Sequence, residues 1–278
     1  MKISHQTFSA ERALYGAREL TLDACRFEGE EDGESALKES AHVTVKNSLF
    51  SLRYPLWHTT DTTLCNCTFT ESSRAPIWYA EDVRLLSTTL HAPKAVREVN
   101  GISLTDCTVK SDEFGWFSKD VSLSSTRLSG EYALFHSRAL TADRLTFKGK
   151  YAFQYLDGGR ITNATLDTKD AFWHSCGVRI EDSLLRGEYL GWYAEDLTLV
   201  RCTVIGTQPL CYCKNRTMID CEMIDCDLAF EKSTLSVSLR GGVTSIKAPA
   251  GGKIVLGAPS PVLTQNDGTL GECEILVL

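Results

Sequence analysis

The chain has 278 residues, 36 acidic and 29 basic, for a formal net charge of −7. No basic run offers a footprint for a polyanion, so neither nucleic acid nor an anionic membrane surface is an expected partner. Nothing approaches the roughly 20 apolar residues of a membrane-spanning helix, and the opening Met1-Lys2-Ile3-Ser4-His5-Gln6 lacks the apolar core of a secretion signal, so the expected compartment is the cytoplasm.

Residues 1–18 precede any regular phase and are expected to cap the fold. From Glu19 the chain repeats every 19 residues, with new repeats opening at His42, Asp61, Asp82, Gly101, Asp120, Ala139, Gly158, Gly177, Asp196, Asn215 and Thr234. The same phase aligns Phe50 with Phe69, then Leu90, Val109, Leu128, Phe147, Leu166, Leu185, Val204 and Met223. So short and strict a period marks a solenoid, in which each unit buries its apolar side only by stacking on its neighbours.

Places two and four of each repeat are apolar, as in Val83/Leu85, Ile102/Leu104, Val121/Leu123 and Val178/Ile180. That alternation predicts a strand with one buried face. Places five and six supply a polar corner (Thr105-Asp106, Thr162-Asn163, Glu181-Asp182) of residue types that favour turns. A second strand buries places seven and nine, and a glycine-bearing corner follows, as in Ser129-Gly130-Glu131, Lys148-Gly149-Lys150 and Arg186-Gly187-Glu188. A third strand is expected next, with places fourteen and sixteen inward: Pro55/Trp57, Pro76/Trp78, Phe114/Trp116, Ala171/Trp173, Leu190/Trp192.

Three strands and three corners per repeat predict an all-β, parallel β-helix of about 12 coils in one domain, spaced about 4.8 Å apart. The preference for right-handed β crossovers makes a right-handed helix the expectation. Extra residues near Glu28-Gly29-Glu30-Glu31-Asp32-Gly33-Glu34 and near Arg74 are expected to bulge as loops. The Gly/Pro-rich stretch over 241–278 is expected to cap the coils of 19–240.

Eleven cysteines invite a metal or disulfide reading, yet Cys25, Cys67, Cys107, Cys202 and Cys221 share place seven with Ser48, Thr88, Thr126, Ala164 and Ser183. This is a column of small buried residues. No Cys/His set with zinc spacing occurs, and neither a metal nor a cofactor is expected.

Place seventeen reads His58, Tyr79, Glu98, Phe117, His136, Tyr155, His174, Tyr193, Tyr212 and Glu231, and is expected to face outward. An exposed row of rings exceeds what solubility needs and suggests a ligand groove, although stacked like residues also stabilise parallel coils without any ligand. A one-residue slip in facing would exchange this column with the tryptophans. Glu131, Asp170 and Glu188 flank it as candidate acids, and a carboxylate pair about 5–9 Å apart can cleave a glycosidic bond. His136 and His174 stand two coils apart and cannot share a metal.

The segments Arg53-Tyr54-Pro55-Leu56-Trp57-His58, Arg74-Ala75-Pro76-Ile77-Trp78-Tyr79, Lys169-Asp170-Ala171-Phe172-Trp173-His174 and Gly187-Glu188-Tyr189-Leu190-Gly191-Trp192 carry a resemblance. So do Glu11-Arg12-Ala13-Leu14-Tyr15 and Glu34-Ser35-Ala36-Leu37-Lys38-Glu39-Ser40. Over nearly its whole length the chain resembles an uncharacterised bacterial domain-of-unknown-function family. That resemblance implies a pectate-lyase-like single-stranded right-handed β-helix and no reaction. Some members carry an automatic hydrogenase label, for which the paired CxxC motifs of a nickel–iron centre are missing here. The acid clusters of pectin-degrading enzymes are missing too.

Two functional expectations follow. One is a binding or scaffold module whose aromatic and acidic flank holds a saccharide or a protein partner. The other is an intracellular glycoside hydrolase or polysaccharide lyase using Glu131, Asp170 or Glu188, with Lys38, Arg53 or Arg74 contacting substrate.

Overall fold

The computed structural model describes residues 1–29, 33–265 and 268–278, in two units, Met1–Thr141 and Ala142–Leu278. The acidic loop expected around Glu30, Glu31 and Asp32 lies outside the described residues. Among those described there is no α-helix, and one 3-10 turn, Glu71–Ser73.

In the first unit, strands Lys2–Ser4, Arg18–Asp23, Ala41–Lys46, Thr60–Cys65, Glu81–Leu86, Asn100–Thr105 and Lys119–Ser124 pair in parallel, each with the strand one turn on. Val43, Thr62, Val83, Ile102 and Val121 fall in register and are buried, so the period of two places one face of every strand inside. On the second side, Phe27, Phe50 and Phe69 stack at 4.5 and 4.4 Å with planes 3° and 4° apart, all fully buried. Burying one such side chain stabilises by about 1.5–3 kcal/mol.

The second unit repeats the plan with Asp157–Thr162, Cys176–Glu181, Thr198–Val200, Thr234–Leu239, Gly251–Leu256 and Glu272–Val277. Leu166, Leu185, Val204 and Met223 align as the 19-residue interval requires. Strand Arg216–Ile224 runs through its corner and pairs on both sides, with Thr198–Val200 and Thr203–Ile205. Gly187 and Gly206 hold the second corner at φ 145° and 135°, and a Cβ on either would lie 2.2 Å from a backbone oxygen of the coil before. Only glycine fits there.

The first corner is built as expected. Asn47, Asn66 and Asp106 at place six take φ of 51°, 52° and 54°, a left-handed conformation that Asn and Asp tolerate. The place-seven column serves this corner. The Ser48 hydroxyl accepts the Cys25 N–H at 3.0 Å and donates to Lys46 O, and the Ser183 hydroxyl accepts the Ala164 N–H at 2.9 Å. The cysteines here are free thiols, with Cys107 and Cys202 donating to backbone oxygens of the preceding coil.

Three features depart from expectation. Strand Lys2–Ser4 already pairs with Arg18–Asp23, and Gly251–Leu256 and Glu272–Val277 extend the sheet, so the solenoid winds through both ends. The two units wind about 14 turns in all. The third side is a strand at Ile77–Trp78, Val96–Arg97 and Phe114–Trp116, and again at Ile246–Lys247 and Val262–Leu263, which pair in parallel while Ile246 bridges Ala229. Elsewhere it is a run of turns with left-handed residues alternating along it, such as Tyr132, Leu134 and His136, or Asp170, Phe172 and His174. That backbone turns places fourteen and fifteen inward together: Ala133/Leu134, Ala152/Phe153 and Ala171/Phe172 are all fully buried. The place-sixteen tryptophans, expected inside, are only half-buried.

Candidate functional site

Place seventeen faces solvent along most of both units, but Glu231, expected outward, is buried. Tyr79, Phe117, Tyr155 and Tyr193 are 38, 43, 39 and 43% exposed, His58, His136 and His174 are exposed, and Tyr212 is half-buried. In the first unit His58 stacks on Tyr79 at 5.0 Å and Phe117 on His136 at 5.7 Å. Glu98 stands between these pairs in the column.

The second unit carries the longest described stack. Tyr155, His174, Tyr193 and Tyr212 follow one another at 5.0, 5.0 and 5.1 Å, their planes within 10°, 7° and 15° of parallel. His174 and Tyr193 therefore have a ring on each face. What they offer solvent is the ring edge with its hydroxyl or nitrogen, so broad face packing against a sugar is closed to the interior rungs. Tyr212 ends the stack beside Glu231, which is 8% exposed and 3.3 Å from Lys247. Burial first, and then the Glu231 charge and hydrogen bond, push the Tyr212 phenol up to about 12. It stays a neutral donor at neutral pH.

Beneath the column each tryptophan pins its coil to the next. The indole N–H donates to a third-side backbone oxygen: Trp57 to Ala75 at 2.7 Å, Trp78 to Lys94 at 2.8 Å, Trp116 to Tyr132 at 2.7 Å, Trp173 to Tyr189 at 3.0 Å and Trp192 to Gln208 at 2.7 Å. Trp57 lies on Trp78 and Trp173 on Trp192 with planes 1° and 3° apart. Arg97, at the same place in its repeat, sits over both Trp78 and Trp116 at 5.3 and 5.5 Å. Sequence reasoning missed these contacts, whose signal is a tryptophan at place sixteen of successive repeats.

Of the candidate acids, Glu131 belongs to the first unit and Asp170 and Glu188 to the second. Asp170 is 8% exposed. Its carboxyl is raised above the ordinary aspartate value chiefly by burial; Lys169, 3.9 Å away, opposes the shift and Glu188 adds to it. The backbone N–H of Asp170 donates to Glu188 O at 2.8 Å, so the two are held on adjacent coils. Among the described residues no group of three His, Cys, Asp or Glu side chains could hold a metal ion.

Residues 1–275 match the family described as "Protein of unknown function (DUF3737)". No curated protein matches the chain. Among solved structures, the Dettilon tailspike protein is similar at 10% identity with a TM-score of 0.42, over 99% of this chain and 61% of that one. The surface adhesin PfbA of Streptococcus pneumoniae gives 8% and 0.41, over 90% of this chain and 85% of that one. Tailspike protein 3 of bacteriophage CBA120 gives 10% and 0.39, over 99% and 49%. The chain thus spans less than two thirds of either tailspike.

Proposed function

The chain belongs to the DUF3737 family, whose members are described as proteins of unknown function, and we propose that it is a binding module whose second-unit ring stack holds an elongated, hydroxyl-rich ligand of the saccharide class. The observation that carries this is the continuous stack of Tyr155, His174, Tyr193 and Tyr212, its first three rings exposed and the last half-buried. Ring edges put a phenol or imidazole at regular intervals along one line, and Asp170 and Glu188 supply acceptors on neighbouring coils. Hydroxyls on a long chain pair with such groups one after another. The tryptophans beneath have spent their N–H groups on the backbone, which keeps the platform rigid. Preorganised donors cost less to order on binding.

Glycan-array binding by the wild type, Tyr155→Phe/Tyr193→Phe and Tyr155→Ala/Tyr193→Ala tests this. Edge recognition requires both variants to lose binding, because phenylalanine keeps the stack and deletes only the hydroxyls. Binding retained by the phenylalanine variant would overturn the edge geometry. No binding by any form, or equal binding by all three, would overturn the saccharide reading.

One observation favours a second, enzymatic reading: a buried acid, Asp170, held protonated to higher pH beside a second carboxylate, Glu188. Environments that push two carboxyls apart suit general acid and base roles in glycoside cleavage. Oligosaccharide cleavage lost in both Asp170→Asn and Glu188→Gln would support it. Cleavage unchanged in either variant, or absent from the wild type, would dismiss that pair.

A further inference from the structure

A pocket of about 290 Å³ opens in the first unit where the repeat beginning at Asp61 carries its two extra residues. It is lined by Tyr54, Trp57, Arg74, Ala75, Trp78, Pro93 and Lys94. The insertion forms the 3-10 turn Glu71–Ser73 and ends at Arg74 with φ 55° and ψ −71°. There the Ala75 N–H donates to Ser73 O at 2.7 Å, closing a three-residue γ-turn of the rare positive-φ kind. Such a backbone is costly for a side chain larger than glycine's. It sets Arg74 at the rim.

The polarity of the lining is one-sided. Trp78 has Trp57 on one side and the Arg97 guanidinium, 5.3 Å away, near its ring, so the stacked indoles have little free face to offer. Ring edges carry the positive end of the aromatic quadrupole. The backbone oxygens of Arg74, Ala75 and Lys94 already accept from the Lys94 N–H, the Trp57 indole and the Trp78 indole. No carboxylate lines the pocket. Lys94 is paired with Glu113 at 3.1 Å, whereas the Arg74 guanidinium has no ion-pair or hydrogen-bond partner among the described residues. The pocket thus presents one uncompensated positive charge in a recess of about 290 Å³, large enough to admit a ring.

We propose that this pocket binds a six-membered ring bearing one carboxylate, with Arg74 gripping the carboxylate in bidentate fashion and the edges of Trp57, Trp78 and Tyr54 enclosing the ring. A single free guanidinium matches a monoanion better than a dianion such as phosphate. The proposal stands apart from the second-unit ring stack and does not depend on it.

Isothermal titration of the full chain with galacturonate, benzoate and galactose tests it. The two acids distinguish a sugar source from an aromatic one, and binding of either supports the site. The neutral sugar must bind at least about tenfold more weakly than the acid that binds. Arg74→Gln must bring that acid down to the level of galactose. Glu113→Gln, by freeing Lys94, must tighten acid binding, a gain that misfolding cannot imitate. Raised salt must weaken it. Binding of neither acid, equal affinity for acid and neutral sugar, or acid binding unaffected by Arg74→Gln would overturn the proposal.

Discussion

Arg216 is 1% exposed, in register with Leu235 at a core position of the second unit. Its Nη2 donates to Cys213 Sγ at 3.0 Å, while Nε and Nη1 have no partner among the described residues. Gly191 packs beside it, where a Cβ would lie 3.1 and 3.2 Å from Leu210 and Leu197 and 3.4 Å from Nη2. A buried charge without a counter-charge is destabilising, and apolar replacement of buried ionic groups often gains about 1–4 kcal/mol. Arg216→Met is therefore expected to raise the urea midpoint with an unchanged slope; a lowered midpoint would show that the charge has a counter-ion in solution. Asp170 makes a pH-dependent case. Its native carboxyl holds a proton above the ordinary value of 3.8, so the native state binds more protons than the unfolded one and its stability falls as pH rises from there through the raised native value. Asp170→Asn removes that slope, and denaturation curves of the two proteins should diverge upward from pH 3.8 in favour of the variant. Columns of such residues were legible from the repeat alone. The burial of Arg216 was not, because nothing local announces that a cation at place two will stay inside.

At the scale of the element, the first two sides were readable because strand alternation and Asn/Asp corners are local properties. The third was expected as a strand throughout, and over most coils it is a run of turns instead. Its inward residues are consecutive, and its left-handed positions carry Tyr, Leu and Phe as well as His, of which only His is favoured at positive φ. Inter-coil bonds such as Phe172 N–H to Ala152 O at 3.0 Å and His174 N–H to Trp192 O at 3.1 Å hold that backbone in place. The indole N–H bonds join the same coils, so they are expected to matter beyond packing. In Trp173→Phe the ring remains over Trp192 while the Tyr189 oxygen loses its donor. The expected cost is about 1–2 kcal/mol, read from the shift in denaturation midpoint; an unshifted midpoint would reduce the tryptophan column to filler. The candidate site inherits the same lesson. Its residues were legible as a column, but whether they show faces or edges depends on ring planes that spacing does not encode.

Across the whole chain, the 19-residue period determined the register, and it did so because each coil touches only the coils beside it. The turns at both ends were harder to see. Gly251, Gly252 and the short Lys2–Ser4 strand lack the column composition, although Ile254 and Leu256 are still fully buried. Nearest-neighbour construction makes a testable statement about how damage spreads. Phe69 is fully buried and stacks on Phe50 at 4.4 Å, with Leu90 in register on its other side. Phe69→Ala should cost about 3–5 kcal/mol, because a rung between two rungs has no other element to collapse onto the cavity. In hydrogen exchange the loss of protection should concentrate in Leu49–Phe50, Thr68–Phe69 and Thr89–His91, leaving Thr108–Lys110 and Arg127–Glu131 close to wild type. A uniform loss across all of these strands would mean that the first unit opens as one cooperative body, and that stacking energy is shared well beyond adjacent coils.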